Sequence, residues 1–341
     1  MTMKSTRIAI NGFGRIGRSF FRAAFGLPAF EIIAINDLAD TSALAYLLKY
    51  DSIYGRYAKS VHTGIRSLYV EEKEIKVYAE KDPAALPWRD LNIDVVLESS
   101  GFFTSGDKAR EHLDAGAKRV VITAPAKGDG VTTALVGVND DRFAYALPIT
   151  ANASCTTNSV APVMAILQER FGIQKASMVT VHGYTATQKL VDGPDEKDMR
   201  RGRAAGVNIV PSTTGAAEAV IQAIPELAGR FDATAVRVPT IAGSLSVMTV
   251  LLSREATREE VNDVFKKAAQ DARWSKILKV TEDPIVSSDI LTEPYGAIVD
   301  LSLTKITDGN MAQIFSWYDN EAGYTATLIE HVKRIAATIN G

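Results

Sequence analysis

Between Arg7 and Asn11 the chain reads as a short apolar strand. Gly12, Phe13, Gly14, Arg15, Ile16 and Gly17 follow at once and lead into a helical stretch through Phe25. Strand, glycine turn and helix in that order leave few architectures open, because glycine is needed where the backbone turns tightly or another group comes too close for a side chain. A second apolar strand over Glu31 to Asn36 ends in Asp37, 20 residues after Gly17. This is the pattern of a βαβ unit whose helix N-terminus holds a pyrophosphate, the parallel-sheet arrangement that binds dinucleotides. An acid at the end of the second strand is placed for a ribose 2′-hydroxyl, and its charge would repel a 2′-phosphate, so NAD is the expected cofactor. Gly12, Gly14, Gly17 and Asp37 are the candidates this pattern supplies.

Further strands are expected over Asp94 to Ser99 and Arg119 to Thr123, with a helical pattern around Asp107 to Ala115 between them. Strands alternating with helices predict a Rossmann-type, doubly wound parallel sheet. Past Ala151 the character changes. Strands over Ser177 to His182, Thr234 to Val238, Ser244 to Leu252 and Ala297 to Leu303 alternate less with helices, although Val160 to Phe171 and Arg258 to Ala272 read as helical. That half is expected to be an α+β domain with a largely antiparallel sheet. The boundary falls near Ser154, which predicts domains over 1–154 and 155–319.

With 46% hydrophobic and 23% charged residues, the chain has the composition of a globular protein. Its 38 basic and 40 acidic residues leave a net charge of −2, which does not point to nucleic acid or an anionic membrane. No apolar run approaches a membrane span and no signal-like stretch precedes the first strand, so a cytoplasmic enzyme is expected.

Cys155 is the only cysteine in the chain. It cannot pair within its own chain, and alone it is too few for a structural zinc or iron–sulfur site, so no metal is expected. It is either an inert buried thiol or a nucleophile. Ser154, Thr156, Thr157 and Asn158 around it make a poor core sequence and a good supply of donors for a thiolate or a bound anion, which favours the nucleophile. Cys155 is expected at the start of a helix, where the dipole favours the thiolate. His182, 27 positions on, is a candidate base.

The polar stretch from Asp192 to Val210 reads as a solvated loop, and the run from Pro211 to Ala217 opens another helix. Hydroxyls and a glycine at a helix start, with Arg200, Arg201 and Arg237 in the same half, could form a phosphate cradle.

These motifs together resemble the phosphorylating glyceraldehyde-3-phosphate dehydrogenases over nearly the whole length. The matching segments are INGFGRIGR at 10–18, IND at 35–37, TAPAK at 123–127, ASCTTN at 153–158, HGYTATQK at 182–189, RRGRAA at 200–205, STTGAA at 212–217, VRVPT at 236–240 and WYDNEAGY at 317–324. The resemblance implies a homotetramer using NAD, glyceraldehyde 3-phosphate and inorganic phosphate, with no nucleic acid required. It also implies a C-terminal helix, about 320–341, that returns to the NAD domain. By resemblance Cys155 is the nucleophile and His182 its base. Ser154, Thr156, Thr214 and Gly215 would line the inorganic phosphate, Thr185 and Arg237 would hold the substrate's C3 phosphate, and Arg201 would serve the phosphate region. Arg15, Ile16, Asp37, Lys81 and Thr123 fall at cofactor positions, with Asn320 on the nicotinamide amide and Tyr324 beside it.

Three positions depart from the family's usual pattern. Ala322 stands where tryptophan is usual, which should loosen packing near Asn320 and Tyr324. Glu218 replaces a lysine, and Ser159 a second cysteine. The related erythrose-4-phosphate dehydrogenases usually carry Glu at the place of Asp37 and lack the YTATQ and STTGAA segments present here. A non-catalytic NAD-sensing or RNA-binding protein is the alternative of another class, and the retained Cys155 and His182 argue against it.

Overall fold

The computed structural model describes residues 5–196 and 198–340, so the outermost residues of the expected domains, 1–4 and 341, lie outside it. The chain forms two compact units. One comprises the residues up to Leu135, Asn139–Ala153 and those from Leu328 onward; the other comprises Val136–Val138 and Ser154–Thr327.

The first unit is built on nine strands in the order Val61–Thr63, Ser67–Val70, Lys73–Tyr78, Phe30–Asn36, Thr6–Asn11, Val95–Glu98, Arg119–Ile122, Ile149–Ala151 and Thr132–Thr133. From Lys73–Tyr78 onward all pairs are parallel, and only the two edge strands before it are antiparallel. The central strands are continuous apolar runs because helices cover both faces: Ile8, Ala9, Ile10, Val95, Val96 and Leu97 are fully buried. Helix Arg15–Ala24 buries Phe20, Phe21 and Ala24. Helix Gly106–Asp114 contributes Ala109 to a cluster with Val120, Ile122, Ile149 and Ala151.

The register places the carboxyl ends of five strands side by side. Asn11 is level with Asn36 and with Glu98, Asn36 with Tyr78, and Glu98 with Ile122. Gly12, Asp37, Ser99 and Thr123 therefore emerge along one edge. The strand order reverses there, between Thr6–Asn11 and its two neighbours, which is where open parallel sheets bind ligands.

The second unit has eight strands. Seven follow the order Val210–Ser212, Phe231–Val238, Ile173–Gly183, Ser244–Leu252, Met311–Tyr318, Ala297–Asp300 and Leu278–Thr281, and Lys305–Thr307 also pairs with Met311–Tyr318. The pairing is largely antiparallel, with two parallel pairs. The expected fold class is therefore the one observed. Strand Met311–Tyr318, central in this sheet, had no sequence expectation. Helix Cys155–Phe171 is buried along most of its length, which explains its lack of a polar stripe. The sheet face carrying Met178, Thr180 and His182 is buried, while Val179 and Val181 on the opposite face are 41% and 36% exposed.

Helix Ala322–Asn340 belongs to the first unit from Leu328 onward. There the buried His331 lies 2.8 Å (Nε2) from Thr150 Oγ1 and 3.1 Å (Nδ1) from the Ala134 carbonyl.

Candidate active site

At the carboxyl edge of the first unit, Gly12 has φ +90°, and a Cβ there would stand 2.4 Å from Ser100 N. A Cβ on Gly17 would stand 2.2 Å from the Gly12 carbonyl oxygen. Both glycines are demanded by the protein's own packing. Gly14 is different: a Cβ would meet nothing within 4 Å, and Gly14 caps helix Arg15–Ala24 with no side-chain bond to its amides. An open approach to uncapped amides at a helix N-terminus fits a pyrophosphate. Asp37 borders the loop, its carboxylate accepting from Phe13 N at 2.7 Å and Ala39 N at 3.0 Å. Ile16 is half-buried in the first helical turn, Lys81 is exposed beyond strand Lys73–Tyr78, and Thr123 follows strand Arg119–Ile122.

In the second unit, Cys155 opens its helix and Ser154 caps it, Ser154 Oγ accepting from Thr157 N at 3.0 Å. Ala153, at φ 52°, turns the chain into this cap in a conformation rarely adopted by residues other than glycine. His182 comes from the end of strand Ile173–Gly183, with Nε2 3.5 Å from Cys155 Sγ. Its neighbour in the parallel register is Arg237, whose Nη1 lies 2.6 Å from His182 Nδ1. Burial, reinforced by the Arg237 charge, pushes His182 down to about 3, so the resting imidazole is neutral. Burial pushes the Cys155 thiol up, opposed by the Arg237 charge and by hydrogen bonds from Thr156. Tyr318 closes the floor: burial drives its phenol up to about 12, and its hydroxyl lies 2.9 Å from Thr156 Oγ1 and 2.7 Å from Thr180 Oγ1.

The neighbouring cationic region is also formed by register. Strand Val210–Ser212 pairs with the Arg237 strand, and Arg201 reaches over to donate to Ser212 Oγ at 3.0 Å. Arg201 is near enough for its charge to lower the pKa of Arg237, while Arg200 is exposed. Thr214 Oγ1 accepts from Ala216 N, and Gly215 caps helix Ala216–Ala223 with open space beside it. Thr185 Oγ1 lies 3.0 Å from Thr187 Oγ1. Asn320 Oδ1 is held by Gly243 N at 3.0 Å, which leaves its amide N–H groups to offer.

Comparison with known proteins decides the family. The model of the glyceraldehyde 3-phosphate dehydrogenase NAD binding domain matches residues 6–106, and that of the C-terminal domain matches residues 154–320. The chain is 51% identical to a glyceraldehyde-3-phosphate dehydrogenase of Thermotoga maritima, over 95% of this chain and 97% of that one. It is 48% identical to one of Mycobacterium tuberculosis, over 98% of this chain and all of its counterpart. The chain belongs to the glyceraldehyde-3-phosphate dehydrogenase family. A relative from Streptomyces coelicolor is 48% identical over 95% of this chain and 96% of its own.

Within this glyceraldehyde-3-phosphate dehydrogenase scaffold, two expected side chains are engaged elsewhere. The Arg15 guanidinium pairs with Asp51 at 2.5 Å, so Arg15 has its backbone N–H rather than its charge to offer a cofactor. Thr156 was expected on inorganic phosphate, but its hydroxyl is committed to Tyr318 and to the Cys155 sulfur. Ser159, in place of the family's second cysteine, lies 3.0 Å from Ser316 Oγ on the central strand. Around Ala322 the packing remains closed, with Tyr324 and Asn320 only 3% and 7% exposed. Tyr324 is thus a buried support for its segment, not an open contact surface. Sequence reading missed the groups beneath the glycine loop: Glu98 accepts from Asn11 Nδ2 at 2.5 Å and from Ser100 N at 2.8 Å, and lies 3.0 Å from His112 Nε2. An acid inside an apolar strand was the available signal. Among the described residues no group of three or more His, Cys, Asp or Glu could hold a metal ion, and no helix is long and apolar enough to cross a membrane.

Proposed function

We propose that the chain catalyses the NAD-dependent, phosphorylating oxidation of D-glyceraldehyde 3-phosphate to 1,3-bisphosphoglycerate. The observation that carries this reading is Cys155 at a helix N-terminus, 3.5 Å from His182 Nε2 and beside a buried arginine without a counter-charge. The helix amides and Arg237 stabilise the thiolate, which attacks the aldehyde carbon and forms a C–S bond. His182 takes the proton that must leave, first from the thiol and then from the hydroxyl of the thiohemiacetal. Bound NAD⁺ supplies the acceptor for the hydride lost from that carbon, and the glycine loop and Asp37 hold it. The resulting thioester retains the energy of oxidation. An oxygen of inorganic phosphate then attacks the thioester carbonyl, the C–S bond breaks, and the thiolate is regenerated as the acyl phosphate forms.

Two anions must therefore flank one carbonyl. Thr185 and Arg237 are assigned to the C3 phosphate. Ser154, Thr214 and Gly215 are assigned to inorganic phosphate, with Arg201 serving both; the Gly215 cap and its uncapped amides support this. Asn320 is assigned to the nicotinamide amide. The exposed sheet face around Val179 and Val181 supports a homotetramer, since a second copy would cover it. A cytoplasmic location follows from the same metabolic reading.

Assays with glyceraldehyde 3-phosphate and erythrose 4-phosphate, each with NAD⁺ or NADP⁺ and with or without inorganic phosphate, test the proposal. NADH should form fastest from glyceraldehyde 3-phosphate and should require phosphate for steady turnover. Faster turnover of erythrose 4-phosphate, or indifference to phosphate, would overturn it.

A further inference from the structure

His182 Nδ1 faces two partners that demand opposite things of it. The Gly183 carbonyl oxygen lies 2.6 Å away and can only accept, so it calls for a proton on Nδ1. Arg237 Nη1 also lies 2.6 Å away and can only donate, so it calls for a bare Nδ1. A neutral imidazole satisfies one of them at a time, and the choice fixes the other ring nitrogen, which faces the nucleophile. When Nδ1 donates to Gly183, Nε2 carries a lone pair toward Cys155 Sγ, 3.5 Å away, and can take the thiol proton. When Arg237 donates to Nδ1, Nε2 carries the proton, aims it at the sulfur and cannot act as a base. The doubly protonated ring is no escape, because burial and the adjacent guanidinium hold His182 down to about 3.

What releases Arg237 is indicated by its surroundings. The groups acting on it are Cys155, Tyr318 and Arg201, none of them a carboxylate, and it forms no ion pair among the described residues. Besides His182 its bond is to the Gly183 carbonyl, at 3.2 Å. A largely buried guanidinium without a counter-charge is drawn to any anion that reaches it.

We propose that the substrate's phosphate switches the tautomer of His182: by drawing the Arg237 guanidinium off Nδ1, it lets Nδ1 donate to the Gly183 carbonyl and turns Nε2 into the base for Cys155. The inference rests on the assignment of Arg237 to the C3 phosphate. One proton leaves Nε2 for solvent and another arrives at Nδ1, so the ring stays neutral. Without a phosphate the base is switched off, and the enzyme rejects unphosphorylated aldehydes in turnover as well as in binding.

The test uses the full-length protein labelled with ¹⁵N-histidine, in which His182 is one of only four histidines and is assigned by the resonance lost in His182→Gln. The probe is glycerol 3-phosphate, an unreactive phosphomonoester, and its affinity is measured in parallel by calorimetry. His182 should be the Nε2–H tautomer in the free protein and the Nδ1–H tautomer when glycerol 3-phosphate is bound. In Arg237→Leu it should be Nδ1–H throughout, with affinity for the probe reduced at least about tenfold. The buried His112 and His331 resonances report that the variant is folded. If the probe binds, Arg237→Leu weakens it and the His182 tautomer does not move, the switch is refuted and the phosphate assignment stands. If Arg237→Leu binds the probe as tightly as the unmodified protein, the phosphate assignment fails and the switch with it.

Discussion

Glu98 and Asn11 lie level on adjacent parallel strands, 87 residues apart in sequence, and join side chain to side chain at 2.5 Å directly beneath the glycine loop. The link continues: Asn36 donates to Asn11 Oδ1 at 2.7 Å, Glu80 N donates to Asn36 Oδ1 at 2.9 Å, and Trp88 Nε1 donates to His112 Nδ1 at 3.1 Å. The cofactor edge thus rests on a polar network spanning four strand ends. Glu98 is its hub, with Ser100 N, Asn11 and His112 all upon it.

Glu98→Ala should lower stability by about 2–4 kcal/mol, because it strands buried donors without an acceptor. It should also weaken NAD binding through the loop. Denaturant unfolding and NAD titration measure the two effects, and an unchanged unfolding midpoint would mean that the network is solvated.

Cys155→Ser should cost about three orders of magnitude or more in turnover while NAD binding persists, since a hydroxyl is a far weaker nucleophile than a thiolate. Retention of most of the activity would exclude the covalent mechanism.

Asp37 carries the cofactor choice. The unmodified enzyme should prefer NAD⁺ by at least about tenfold in kcat/KM, equivalent to roughly 1.4 kcal/mol. Asp37→Asn preserves an oxygen for Phe13 N and removes the charge, so the preference should shrink chiefly through better use of NADP⁺. Equal efficiency with both cofactors in the unmodified enzyme would remove Asp37 from the explanation.

His331 and His182 are both held down to about 3, by burial first in each case. In the unfolded chain a histidine takes up a proton near pH 6.5. Below about pH 6.5 the unfolded state therefore binds more protons, and stability should fall by roughly 1.4 kcal/mol per pH unit for each histidine, down to about pH 3. Above about pH 6.5 this contribution is fully present. His331→Gln should be less stable at pH 7.5 but should lose less between pH 6.5 and 5. Parallel pH profiles for the two proteins would rule out His331 as a source of the acid sensitivity.

Glu218 is exposed in the first turn of helix Ala216–Ala223, whose N-terminus is assigned to inorganic phosphate. An anion there opposes a second one, so Glu218→Gln should lower the KM for phosphate by about two- to fivefold, with little change in the KM for the aldehyde. Steady-state kinetics at varied phosphate decide it, and an unchanged KM would place the phosphate elsewhere.

The local signals were fully legible in the sequence. Gly12, Gly14 and Gly17 between an apolar strand and a helix, Asp37 at the end of the next strand, and Cys155 among hydroxyl residues each express their chemistry through near neighbours, as turns, caps and apolar periodicity do. The sequence also indicated two units of different sheet type, because a strand buried on both faces reads differently from one buried on a single face. What it could not supply was register. His182 meets Arg237 because two strands pair in parallel at one offset, and a slip of a single residue would turn either side chain to the other face. The same holds for Asn11 against Glu98, for Arg201 against Ser212, and for Thr156, whose hydroxyl turned out to serve Tyr318 and the thiol. Such pairings join residues far apart in the chain, and the packing that selects them is a property of the whole sheet and the helices on it, so only the tertiary structure decided which cation stands behind the catalytic imidazole.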